Sequence, residues 1–143
     1  MVIEVYNSKP EISTSDNLMA RASQCVAVGL VSSAYNLAGL VQVHFTSDHE
    51  RVLNSLIEGC MAIDNCQENY IMGIGGGVDA FIPGGYGFIP GSHNADRVLN
   101  YLAKIGFENA IKKGVVDIHE DYIRILIVYI SKRAIEIKRL KRI

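Results

Sequence analysis

The sequence predicts an α+β domain in which mixed or antiparallel β-sheets and two main helices form layers, and three observations carry that prediction. Short apolar runs rich in β-branched residues, each bounded by turn residues, recur along the 143-residue chain. Helical spacing of apolar side chains shows clearly in two places, Val52–Cys60 and Ala95–Leu102. Tight turns separate the last strands, which favours mixed or antiparallel pairing. At 49% hydrophobic and 20% charged residues, the composition is that of a core-rich globular chain and excludes a disordered one. The length suits one domain over residues 1–143, with no repeat, low-complexity stretch or linker to divide it.

Val2–Tyr6 opens as a short apolar strand ending in the turn Asn7-Ser8-Lys9-Pro10. A polar, Ser-rich segment follows and reads as irregular. Cys25–Val31 is bounded and β-branched, too short for a core helix, and so a buried strand. Ser32–Asn36 turns the chain into a second apolar strand, Leu37–Phe45, which carries Gln42 and His44.

The first helix begins at Thr46-Ser47-Asp48. Ser47 with Glu50 has the capping-box spacing, in which each side chain satisfies a backbone N–H the helix leaves open. Val52, Leu53, Leu56, Ile57 and Cys60 then share one face. Tyr70–Ile74 is a strand running into Gly75-Gly76-Gly77, and Phe81–Pro90 is a turn-punctuated hairpin or ordered loop around Pro83-Gly84-Gly85. Ser92 is the expected N-cap of the second helix. Val115–Ile118, Tyr122–Ser131 and Ala134–Leu140 complete the chain as strands, the last two with Ile at period two.

Charge narrows the partners. Lys and Arg number 14 against 15 Asp and Glu, a net charge of −1, which excludes the basic excess of a dedicated nucleic-acid binder. No apolar run approaches the ~18 residues of a membrane span, so no membrane partner is expected. The opening residues lack the basic and apolar regions of a secretory signal. Three cysteines are odd in number and too few for a disulfide scaffold, which predicts a cytoplasmic domain with reduced thiols.

Cys25 and His44 stand in successive strands, so neighbouring strands bring a thiol and an imidazole together. That pair is the minimum for nucleophilic catalysis: the imidazole takes the thiol proton and sulfur attacks an acyl carbon. The structural alternative is that Cys25 is a small buried hydrophobe. Cys60 lies on the apolar helix face and reads as core, and Cys66, in a polar loop, as a bystander. These cysteines lack the paired short spacing of a zinc site, so no metal is expected. Gly75–Gly77 lacks the Lys-Ser/Thr of a phosphate loop and reads as close backbone packing or a turn near the cleft. His93, beside Pro90-Gly91-Ser92, is an alternative base. The basic terminus Lys138–Arg142 reads as a solvated strand end, and Phe81, Tyr86 and Phe88 as core filling or a partner surface.

The segment Ser23-Gln24-Cys25-Val26-Ala27-Val28-Gly29-Leu30, followed by Ala38-Gly39-Leu40 and His44-Phe45, resembles the CheD-type chemoreceptor glutamine deamidases. Their signature is Gly-Ser-Cys-Val-(Ala/Gly)-Val and then a Gly-Gly strand leading to His-Phe. Asn7-Ser8-Lys9-Pro10, Ile71–Phe81 and Ile89–Asn94 with the helix ending at Phe107 are similar to further family segments, so the likeness covers nearly the whole chain. It implies the fold shared with the cytotoxic-necrotizing-factor toxins, Cys25 as nucleophile and His44 as general base. The implied reaction hydrolyses a protein glutamine carboxamide to glutamate through a thioester, without cofactor or metal. The implied partners are a protein substrate such as chemoreceptor cytoplasmic helices and a chemotaxis regulator of the CheC type.

Three departures accompany the likeness. Ser23-Gln24 replaces Gly-Ser before the nucleophile. Met19 stands where the family has the threonine that orients its histidine, which leaves Ser23 as a candidate third member. Anchoring on Ala38-Gly39-Leu40 puts Gln42 at the family's histidine position, whereas anchoring on His44-Phe45 recovers His44; the two differ by about 6–7 Å along the strand. A cysteine-dependent deamidase and a catalytically impaired binding or regulatory module of the same fold are therefore the two readings, separated by which residue stands opposite Cys25.

Overall fold

The run from Val26 to Ser32 forms a central strand because both of its faces are covered. Val26, Val28 and Leu30 pack toward helices, while Ala27 and Val31 pack toward a second sheet. In the computed structural model, which describes residues 1–82 and 87–143 (backbone alone at 81 and 82), this strand anchors a three-layer arrangement of sheet, sheet and helices. The turn Pro83-Gly84-Gly85 and Tyr86 lie outside the described residues.

The strands are β1 (Val2–Glu4), β2 (Glu11–Ser13), β3 (Asn17–Ala22), β4 (Val26–Ser32), β5 (Ala38–Val43), β6 (Tyr70–Gly76), β7 (Ala80–Ile82), β8 (Gly87–Ile89), β9 (Val115–Ile118), β10 (Tyr122–Tyr129) and β11 (Ala134–Arg142). The helices are α1 (His49–Met61), α2 (Gly91–Lys104) and the short α3 (Glu108–Lys113). The middle layer is a five-stranded sheet in the order β2-β5-β4-β6-β9, and the outer layer a four-stranded sheet in the order β1-β3-β10-β11. β4 runs antiparallel to β5 and β6, while β6 and β9 pair in parallel across the α2–α3 connection. β7 and β8 pair as a small hairpin. The α+β class with mixed sheets and few helices is thus the observed architecture.

Two apolar cores hold the layers. Leu53, Leu56 and Cys60 of α1 and Ala95, Val98 and Leu102 of α2 pack on the even-numbered side of β4. Each fully buried Leu there contributes about 1.5–3 kcal/mol relative to exposure. Leu18, Ala20, Leu126 and Val128 fill the space between the sheets with Ala27 and Leu40. The small residues matter: a Cβ on Gly29 would come within 2.8 Å of Val128 Cγ2, so the sheets approach closely there.

Local expectations shift in four places. Asn17–Ala22, read as irregular, is a strand whose Leu18, Ala20 and Ala22 alternate inward. α1 is capped by Asp48, which accepts from the Arg51 N–H, so the start lies one residue beyond the Ser47–Glu50 box. Ser47 Oγ instead meets Ser8 Oγ at 3.1 Å. α2 starts after Pro90 and not at Ser92; Asp79 accepts from both the amide and the hydroxyl of Ser92, an anion at the positive helix end. α3 adds a third helix, too short to announce itself by periodicity. Among the described residues, no helix is long and apolar enough to cross a membrane.

Candidate functional site

The site forms where the β4–β5 ladder ends. The last pair is Val26 with Val43, preceded by Ala27 with Gln42. The ladder stops there; continued by one residue, the same register would set Cys25 against His44, whereas Gln42 faces Ala27. Directly opposed residues of this kind hold their Cβ atoms ~4.5–5.5 Å apart and project to one face. By strand alternation, positions 25 and 44 fall on the face shared with Ala27 and Leu40, at the end of the space between the sheets.

Gln42 does a different job. Its side chain is buried, and Nε2 donates to the carbonyls of Val5 at 3.0 Å and Arg21 at 2.9 Å. It seals the space between the sheets one step inside the rim. Ser23 Oγ donates to Gln24 Oε1 at 2.7 Å, so its hydroxyl is engaged away from His44. Met19 follows the alternation of β3 onto the face opposite buried Leu18 and Ala20, away from the rim.

The partner of His44 is Thr46, which sequence reasoning treated only as the entry to a helix. A β-turn over residues 44–47, closed by the Ser47 N–H donating to the His44 carbonyl at 3.0 Å, brings Thr46 back over the imidazole. Thr46 Oγ1 lies 2.7 Å from His44 Nδ1, and the Thr46 amide donates to the same nitrogen at 3.3 Å. The Phe45 ring packs beside the imidazole at 4.6 Å between centroids.

Helix α2 clamps this turn. Arg97 Nη2 donates to the carbonyls of His44, Phe45 and Ser47 at 2.9, 3.1 and 3.0 Å. Its Nε donates to Asn94 Oδ1 at 2.7 Å, and buried Asn94 donates in turn to the Val43 carbonyl at 2.7 Å. No local sequence signal marks Arg97, because its partners lie some fifty residues away and meet it only in the folded chain.

The glycine run holds the other side. The Gly77 N–H donates to the Cys25 carbonyl at 3.1 Å and the Val78 N–H to that of Ser23 at 2.9 Å. Gly76 has φ +111°, and a Cβ there would sit 2.1 Å from the Cys25 carbonyl oxygen. Only glycine permits that approach.

Burial pushes the Cys25 thiol above its ordinary value, so sulfur rests as a neutral thiol. No hydrogen bond joins Cys25 to His44 among the described residues; the half-buried thiol needs a base to make it nucleophilic. Cys60 is wholly buried with its thiol pushed up to about 12, and Cys66 is exposed in its loop. His93 is exposed on the first turn of α2, whose next residue, Asn94, points into the clamp. Burial and the neighbouring Arg97 push His49 down, leaving it neutral against Tyr101. The open groove of about 550 Å³ along α1, lined by residues such as Asp48, Arg51 and Glu58, includes neither the thiol nor His44.

Comparison with protein-family models and with curated proteins finds no match. Among solved structures, the chain is similar to the crystal structure of Neisseria meningitidis protein NMB0706 of the family DUF152. The TM-score is 0.51 at 11% identity, over 81% of this chain and 62% of that one. The likeness is one of fold, and the chain spans less than two thirds of that structure.

Proposed function

We propose that the protein is a cysteine hydrolase that deamidates glutamine side chains on a protein partner, as its resemblance to the CheD-type deamidases implies. The observation that supports the reading is the β4–β5 register, which ends at Val26 with Val43 and, continued by one residue, would bring Cys25 opposite His44. In the reaction, His44 takes the Cys25 proton and sulfur attacks the carboxamide carbon. The C–N bond breaks as ammonia leaves with that proton, and a thioester remains. Water then adds with His44 as base; the C–S bond breaks, glutamate is released and the thiol recovers its proton. An exposed imidazole at an open rim suits a glutamine presented on a folded surface, such as a chemoreceptor helix, better than an engulfed small molecule. The role of a CheC-type regulator belongs to the same reading, as does a cytoplasmic location.

The raised thiol and the missing Cys25–His44 hydrogen bond favour the second reading, a binding module that has lost catalysis. Incubation with a receptor cytoplasmic fragment separates the two. Conversion of specific glutamines to glutamate with release of ammonia, abolished by Cys25→Ala, is the expected result. An unmodified fragment that nonetheless binds the protein would overturn the enzyme reading.

A further inference from the structure

We propose that β11 is an interface for a second copy of this chain: the two strands pair edge to edge and antiparallel about a twofold axis at Ile137, joining the outer sheets into one. The outer sheet ends at β11, which pairs with β10 alone among the described residues. A strand of nine residues at a sheet edge turns alternate backbone amides and carbonyls outward, where a further strand can bond them. Among the described residues, no backbone group of Ala134–Arg142 bonds to anything beyond β10. Ile135 and Ile137 turn toward the middle sheet yet are only half-buried, and the outer layer stops at four strands beneath the five of the middle one.

Charge selects the occupant. Glu136 and Lys138 flank Ile137 on the solvent face, and both are exposed. A lysine at mid-edge guards against strand addition unless an acid comes to lie opposite it. The chain's own strand supplies that acid. With the axis at Ile137, Glu136 of each copy lies opposite Lys138 of the other, Ile137 opposite Ile137, and exposed Leu140 opposite Ala134. Centring on Glu136 or on Lys138 instead sets like charges together, and a slip of one residue joins inner faces to outer ones. The bulge at Leu140, where the register passes from Arg124–Arg139 to Ile123–Lys141, ends the run before basic Lys141 and Arg142. At the other end Lys132 lies over the Tyr129 ring and Arg133 donates to the Ser33 carbonyl, which draws both back from the edge. Because the pairing is antiparallel, the Cys25 ends of the two copies point opposite ways. The pairing holds or fails independently of the deamidase reading.

The test is the mass of the protein in solution, by analytical ultracentrifugation from dilute to concentrated samples, where a monomer–dimer equilibrium is expected. Lys138→Glu sets acid against acid twice across the axis and should raise the dissociation constant by at least about tenfold. Adding Glu136→Lys to it should restore the dimer. Both side chains are exposed, so the variants keep the buried contacts, and their thermal melts check the fold. Hydrogen exchange should show protection over Ala134–Leu140 that grows with concentration. A protein monomeric throughout, a dimer indifferent to Lys138→Glu, a double variant that stays monomeric, or protection confined to another strand overturns the proposal. Open-ended assembly overturns it too, since a twofold pair closes on itself.

Discussion

Replacing Arg97 by Met keeps the aliphatic stem along α2 and removes the guanidinium that ties this helix to the His44 turn. Four hydrogen bonds are lost: three from Nη2 to backbone carbonyls and one from Nε to Asn94. Nη2 has only two hydrogens, so two of its three contacts share one donor. Hydrogen bonds to a charged group are worth about 1.5–3 kcal/mol each when buried. Here the carbonyls are part-exposed and water replaces most of what is lost, which leaves about 2 kcal/mol in total. For a chain of this size that corresponds to a fall in Tm of roughly 4–8 °C, read by thermal denaturation followed by circular dichroism. Arg97→Lys should recover little, because one ammonium cannot reach the turn carbonyls and Asn94 together. A double-mutant cycle with Asn94→Ala should show coupling, since Asn94 links Arg97 to the Val43 carbonyl. A Met variant that melts with the wild type would refute the clamp, and additive losses would refute its continuity through Asn94.

Three further outcomes follow from the same geometry. Gly76→Ala should destabilise by at least about 2 kcal/mol in urea unfolding, since it meets both a positive φ and the Cys25 carbonyl; a neutral effect would show that the strand end gives way freely. Arg139 first, and then Arg124, hold the Asp117 carboxyl below the ordinary carboxylate range. Its folded value lies below its unfolded one, so its stabilisation is fully present above pH ~4 and is lost as pH falls through the depressed value. Asp117→Asn should cost about 3–5 kcal/mol at neutral pH by leaving buried Arg124 uncompensated, and the gap to wild type should narrow in acid; a pH-independent gap would contradict this. Iodoacetamide on the folded protein should label exposed Cys66 first and Cys25 more slowly, at a rate that climbs beyond the ordinary thiol value of ~8.5. Cys60 should react only on unfolding. Peptide mapping reads the order, and a Cys25 that outpaces Cys66 at neutral pH would mean a preformed thiolate.

Much of the candidate site is legible in the chain because strands leave a simple signature. The β-branched runs at Val26–Val31 and Ala38–Val43 are buried on both sides, and the turn between them makes them neighbours. Cys25 and His44 could therefore be paired as candidates before any geometry was known. The choice between His44 and Gln42 could not be made there, since residues two apart on a strand share a face; the observed register sets Gln42 against Ala27, and its continuation favours His44.

Thr46 shows a different limit. A His-x-Thr spacing is visible in the sequence, but whether its hydroxyl reaches the imidazole depends on the turn closed from Ser47 to His44. Asn17–Ala22 was hidden for a related reason: alternating Leu, Ala and Ala bury little area each, and their inward direction appears only once β10 pairs with them.

By itself, then, the sequence determined the layered α+β class and the two main helices, and offered Cys25 and His44 as a candidate pair, because hydrophobic periodicity and turn chemistry are local. The tertiary structure alone decided that Gln42 faces Ala27 and bonds the Val5 and Arg21 carbonyls, and that Thr46 contacts the His44 ring. It also decided that Arg97 and the glycines after β6 brace the two sides. Those answers rest on pairing register and on contacts between residues far apart in the chain, which no local pattern encodes.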